Sequence, residues 1–156
     1  MPHGKAAETI PAREAFDLIH DYPRRPEWDI QLLSAYPDDG HTEPAKGATA
    51  VCAGKWYFGG IALKTVYVTF DPPKLAAVKM VNSPPLFGSW ASSLRHEEVG
   101  EDRSRVTYTF HFSAKPRLLG PFLEPLMGLV FRLETRRRLR ALKRHFEGRR
   151  AVASPV

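Results

Sequence analysis

The stretch RVTYTFHFSAKP, residues 105–116, alternates from Arg105 to Ser113. Val106, Tyr108, Phe110 and Phe112 share one parity, while Arg105, Thr107, Thr109, His111 and Ser113 take the other. In a strand successive side chains leave opposite faces, so this segment has one aromatic face and one polar face. Such a strand belongs to an antiparallel sheet covered on one side only. The cover is expected just downstream. A long helix should start near Pro121 or Pro125, since proline is tolerated in a first turn, and run to about Glu147. From Phe122 it would span about 39 Å, and Gly148 supplies a stop signal.

Upstream, strand-like runs recur between turn signals: IQLLSAY, ATAVCAGKWYF, IALKTVYVTF, LAAVKMV and GSWASSLRHEEV, separated by PDDGHTEPAKG, GG, DPPK and NSPP. Six strands joined this way predict an antiparallel meander, with Gly59-Gly60 as a tight hairpin. HGKAAETI reads as a first strand. PAREAFDLIHDY then reads as a short amphipathic helix, with Pro11 suited to its first turn and Ala15, Phe16 and Ile19 at helical spacing. A second, very short helix is expected around Pro26 to Trp28. The fold class is α+β: a curved antiparallel sheet of about seven strands wrapped around one long C-terminal helix, with two short helices after the first strand. It forms a single domain over residues 1–148, followed by a tail over 149–156.

The 156 residues carry a net charge of +6 and 43% hydrophobic residues, which suits one domain with a true core. The basicity is local. Residues 132–150 hold nine Lys or Arg against two Glu, which leaves the rest of the chain at −1. On a helical wheel Thr135, Leu139, Leu142 and Phe146 form one apolar seam, while Arg136, Arg137, Arg140, Lys143 and Arg144 lie elsewhere around it. This is the solvated back of a helix packed by its front, and nucleic-acid binding is not expected. Cys52 is the only cysteine, which excludes an internal disulfide and any cysteine-based metal site. No signal-peptide core or membrane-spanning run is present, so a cytoplasmic location is expected.

Three segments together, TIPAREAFDLIHDYPRRPEWD (residues 9–29), RVTYTFHFSAKP and RLETRRRLRALKRHFE (residues 132–147), resemble the START-like or SRPBCC superfamily, the polyketide cyclase/dehydrase-like and lipid-transport proteins. The resemblance spans nearly the whole chain. It implies the helix-grip fold, in which sheet and helix enclose a cavity. Its functions range over lipid carriers, aromatase/cyclases and ribosome-associated factors, and a shared fold does not choose among them.

The aromatic inner face favours binding of a small hydrophobic ligand, such as a lipid, polyketide or isoprenoid, between sheet and helix. The alternatives are polyketide aromatase/cyclase or dehydratase chemistry, and a ribosome- or RNA-associated role. Parity and position nominate Trp56, Tyr67, Met80, Asn82, Trp90, Ser92, Leu94, Tyr108, Phe110, Phe112, Met127 and Phe131 as ligand-binding residues. No catalytic constellation is evident. His96, Tyr108 and Tyr67 are the candidate acid/base groups, with His96 expected half exposed at a strand end. No metal ligand set and no cofactor are expected. Trp28, in PEWD, is expected to close the core, and His111 to face solvent. Phe122, Leu126, Leu129 and Leu133 lie opposite the Leu142 seam, with Met127 and Phe131 nearer the seam side. A helix carrying both sides either bends at Gly128 or offers the outer stripe to a second copy or a membrane surface.

Overall fold

The structure, a computed structural model, describes residues 2–55 and 60–154. Seven strands form one antiparallel sheet: β1 (His3–Ile10), β2 (Leu32–Asp38), β3 (Thr49–Gly54), β4 (Ala62–Asp71), β5 (Leu75–Met80), β6 (Phe87–Gly100) and β7 (Arg103–Ala114). Their spatial order is β1-β7-β6-β5-β4-β3-β2. Strands β2 to β7 are therefore the expected meander, and β1 closes onto the far side of β7. Helix α1 (Ala15–His20) and a 3-10 helix (Tyr22–Glu27) follow β1, and α2 (Gly120–Ala153) ends the fold. The helix-grip expectation holds. Trp56 and Gly59 lie outside the described residues.

The parity of β7 is realised. Val106, Phe110 and Phe112 are fully buried, whereas Arg105 and His111 are exposed. In β1 the residue facing Phe110 is Gly4. A Cβ on Gly4 would fall 2.2 Å from the Phe110 ring, so only glycine lets that ring lie across β1. The α2 seam is also realised: Thr135, Leu139, Leu142 and Phe146 are buried. The last three pack with Ile10, Leu18, Ile19, Trp28 and Val106. Burying each such side chain contributes roughly 1.5–3 kcal/mol. A second cluster gathers Phe16, Tyr22, Ala48, Ala50, Tyr67 and Ala76 beneath the short helices.

Two boundaries differ from expectation. Helix α1 begins at Ala15, leaving Pro11 in a bend ahead of it. Helix α2 continues through Gly148 to Ala153, so residues 149–153 belong to the helix and not to a tail. Gly148 has a negative φ there, and the Arg150 guanidinium binds the Asp102 carboxylate in the β6–β7 turn. Docking onto the sheet outweighs the small helical cost of one glycine, about 1 kcal/mol. Over residues 120–153 α2 is one continuous helix, and its outer stripe is not buried: Phe122 is 79% exposed and Leu126 61%.

Candidate functional site

Between the sheet and α2 lies a cavity of about 390 Å³. Leu63, Thr65 and Tyr67 of β4 line it with Ala76 and Val78 of β5, and with Trp90, Ser92 and Leu94 of β6. Tyr108 of β7 and Met127, Val130 and Phe131 of α2 complete its apolar surround. Two β-bulges shape these walls. Between Tyr67 and Thr69 the register of β4 shifts, and both Tyr67 and Phe70 turn inward with their rings 5.2 Å apart. Between Phe87 and Ser89 the register of β6 shifts, which brings Phe87 inward beside Trp90 at 6.0 Å. An extra residue reverses the alternation, so a strict period-two reading misses Phe87. Leu86, Leu126 and Val130, each at least 39% exposed, mark the opening. His20, Tyr22, Arg25 and Tyr67, none above 9% exposed, mark the closed end.

Seven nominated residues line the cavity: Tyr67, Trp90, Ser92, Leu94, Tyr108, Met127 and Phe131. Trp56 is outside the described residues. Four others do not line it. Phe110 and Phe112 have the right parity but are fully buried beneath the lining: Trp90 stacks on Phe110 at 5.4 Å, and Phe131 meets Phe112 edge-on at 5.2 Å. Parity gives the face of a residue and not its depth. Met80 ends β5 outside the lining, two residues past Val78. Asn82 is half-buried, and its amide extends the ladder beside β4: it donates to Ala62 O at 2.9 Å and accepts from Lys64 N at 3.0 Å.

His96 also departs from expectation. It is 8% exposed, is absent from the cavity wall, and packs against Phe16 at 4.9 Å and His20 at 6.2 Å. The short helices cover the strand end where it sits. Burial pushes its pKa down to about 4, and neither ring nitrogen has a hydrogen-bond partner. It is a neutral core group and not a cavity acid or base.

The closed end holds polar groups that residue types alone did not single out. Tyr22 and Tyr67 share a hydroxyl–hydroxyl hydrogen bond of 2.6 Å. Burial raises the pKa of both, and their mutual proximity raises that of Tyr22 further, so both stay protonated. His20 donates from Nδ1 to Phe16 O at 2.7 Å, and burial lowers its pKa to about 3. Cys52 lines the cavity as a neutral thiol, because burial pushes its pKa up. Asp29 is buried under an arginine from each side. Arg138 holds its two oxygens with contacts of 2.6, 3.1 and 3.2 Å, and Arg25 Nε stands 3.4 Å away. Burial alone would raise the pKa of Asp29, but Arg138 and Arg25 outweigh it and hold the carboxylate ionised. The signal for Arg138 was on the wheel, about 40° from Leu142 on the buried side. Among the described residues no group of three or more His, Cys, Asp or Glu converges on a metal position, and no described helix is long and apolar enough to cross a membrane.

Solved structures share this architecture at low identity. The aromatase/cyclase ZhuI from Streptomyces sp. R1128 superposes with a TM-score of 0.78 at 15% identity, over 99% of this chain and 98% of that one. A START superfamily protein from Mycobacterium smegmatis gives 0.72 at 12%, over 94% of this chain and 97% of that one. BexL, a di-domain aromatase/cyclase of the BE-7585A biosynthetic pathway, gives 0.77 at 14%; the match covers 99% of this chain but only 48% of BexL. At these identities the likeness establishes the fold alone. No curated protein matches the chain. The sequence itself carries the assignment further: residues 6–147, from β1 into the last turns of α2, match the model of one family, and the chain belongs to the polyketide cyclase/dehydrase and lipid transport family.

Proposed function

We propose that this protein binds a small hydrophobic ligand in the cavity between the sheet and α2. The supporting observation is a 390 Å³ cavity whose wall is mostly aliphatic and aromatic, with a few polar groups gathered at its closed end. Its size is in the range of small-molecule sites, and that distribution of polarity is typical of them. Native mass spectrometry of the purified protein tests the reading. A co-purified small molecule, or saturable uptake of a neutral apolar dye displaced by lipids, is expected. A protein that takes up no dye and carries no ligand overturns it.

Aromatase/cyclase or dehydratase chemistry is the second reading, and the Tyr22–Tyr67 pair favours it. Two protonated phenols beside a guanidinium can polarise a carbonyl held in the cavity. Turnover of a poly-β-ketone substrate, lost in Tyr67→Phe, would establish this chemistry.

We propose in addition that the outer stripe of α2 rests on an anionic membrane surface. Phe122, Leu126, Leu129 and Leu133 are 47–79% exposed, beside the cavity opening. Arg136, Arg137, Arg140 and Arg144 continue the same side of the helix and are exposed. An apolar half followed by a basic half matches acyl chains beneath anionic headgroups. Sedimentation with vesicles containing phosphatidylglycerol is expected, and loss of it in Leu126→Glu/Leu129→Glu. A protein that ignores such vesicles and forms a dimer through these residues overturns the membrane reading in favour of a second copy.

A further inference from the structure

Arg25 is a buried cation with unused hydrogen-bonding capacity. It sits on the wall of the closed end, 9% exposed. Guanidinium has five N–H donors in a rigid fork, yet this one makes no hydrogen bond among the described residues, and its Nε is buried without a partner. The contact to Asp29 Oδ2 is 3.4 Å and leaves that nitrogen unsatisfied. Asp29 is already engaged elsewhere, by Arg138 and by the Gln31 backbone N–H. Its neighbours fix Arg25 in place: the guanidinium carbon lies 6.0 Å from the Tyr22 ring centroid and 5.5 Å from that of Trp28.

The two carboxylates nearby, Asp29 and Glu134, are already engaged by other donors. Glu134, the carboxylate on the cavity wall, gives one oxygen to Gln31 Nε2 and the other to Arg137, each at 2.8 Å. Tyr22, Tyr67, His20 and Cys52 are all neutral at pH 7. The tyrosine pair holds two hydroxyl protons and spends one on its mutual bond, so one O–H remains to donate. The closed end therefore offers a guanidinium that makes no hydrogen bond among the described residues and a free phenol donor, beside a wall that is mostly aliphatic and aromatic.

We infer that this end takes a carboxylate, and that the ligand is an amphipathic acid whose apolar body extends past Trp90 and Phe131 toward the opening. A carboxylate is the planar acceptor that matches the fork and would take up donors it leaves unused. The inference rests on the cavity being a ligand site and specifies which ligands it prefers.

Displacement of the neutral dye N-phenyl-1-naphthylamine by dodecanoate, dodecanol and methyl dodecanoate at pH 8 separates the two ideas. Dodecanoate is expected to bind at least tenfold more tightly than either uncharged chain. Arg25→Met should remove that preference while dodecanol still binds, and Arg25→Lys should restore part of it. Tyr22→Phe should weaken dodecanoate alone. If wild-type protein binds all three chains equally, the carboxylate inference is overturned and the cavity remains a ligand site. If dye and all three chains fail to bind, both fall. The wild-type comparison decides the question even where Arg25→Met does not fold.

Discussion

Arg138 Nη2 lies 2.6 Å from Asp29 Oδ2, joining residues 109 positions apart and tying the middle of α2 to the end of the 3-10 helix. Asp29 is 1% exposed, and Arg25 approaches it from the other side. Removing one partner of a buried pair leaves an uncompensated charge, at a cost of about 3–5 kcal/mol. Arg138→Leu is therefore expected to lower the urea midpoint far more than Arg137→Leu, whose guanidinium is exposed on the same helix. The Asp29 pKa is depressed, so its contribution to stability is complete above the ordinary value of 3.8 and fades as pH falls through the folded value. Equal midpoints for the two variants would show that the pair is dispensable.

His20 and His96 set a second pH dependence at milder acidity. Burial is the first cause in both, and it places their folded pKa values at about 3 and about 4, below the ordinary 6.5. Below pH 6.5 the unfolded chain takes up protons that the folded chain refuses. Stability is thus full above that value and falls on acidification toward the folded pKa values. From pH 7 to pH 5 the loss is about 2 kcal/mol for each histidine. Urea unfolding at the two pH values measures it. His96→Phe should flatten the profile by about half, and an unchanged slope would mean that His96 is hydrated in solution.

Gly4 and Phe110 face one another across the β1–β7 pair. Gly4→Ala would place a methyl carbon 2.2 Å from the Phe110 ring and 3.0 Å from the Arg132 side chain. A destabilisation of roughly 1–3 kcal/mol is expected from overpacking. Trp90 stacks on Phe110, so its fluorescence should shift as well. Unchanged stability and emission would place the Phe110 ring elsewhere.

Much of this architecture was legible because it depends on local period. The alternation of β7 and the 135–139–142–146 seam of α2 each report a face directly. Depth is a different quantity. Phe110 and Tyr108 have the same parity, yet one is beneath the cavity and the other on its wall, depending on the ring stacked above. The bulges at Val68 and Gly88 change parity mid-strand, and a residue-by-residue alternation carries no mark of them. The Asp29–Arg138 pair and the covering of His96 by α1 are made by elements distant in the chain, so neither spacing nor composition announces them. Arg138 was within reach: an arginine on the buried side of a helix requires a buried acceptor.

Trp90 and Tyr108 carry the apolar wall, with Trp90 also meeting Phe131 edge-on at 5.0 Å. Trp90→Ala and Tyr108→Ala are each expected to weaken N-phenyl-1-naphthylamine binding by about tenfold, since large aromatic contacts are lost in each. Circular dichroism should show the sheet intact. Two folded variants with unchanged affinity would move the dye site away from this cavity.

The basic face of α2 should be separable from the cavity. Arg137, Arg140 and Arg144 are exposed, whereas Leu139, Leu142 and Phe146 make the packing contacts. Arg137 pairs with Glu134 at 2.8 Å, and Arg140 approaches Glu8 at 3.7 Å. Exposed ion pairs of this kind contribute about 0–1 kcal/mol each. Replacing all three arginines with Gln should thus leave the fold and the dye affinity within about twofold of wild type. The same variant should lose sedimentation with phosphatidylglycerol vesicles, because each basic residue near such a surface contributes about 1 kcal/mol. Arg25 and Arg138, which face inward, are untouched by the substitution, so dodecanoate should still be preferred to dodecanol. Loss of that preference in a folded triple variant would mean that the carboxylate is drawn by the general positive field of the helix and not by the fork at the closed end.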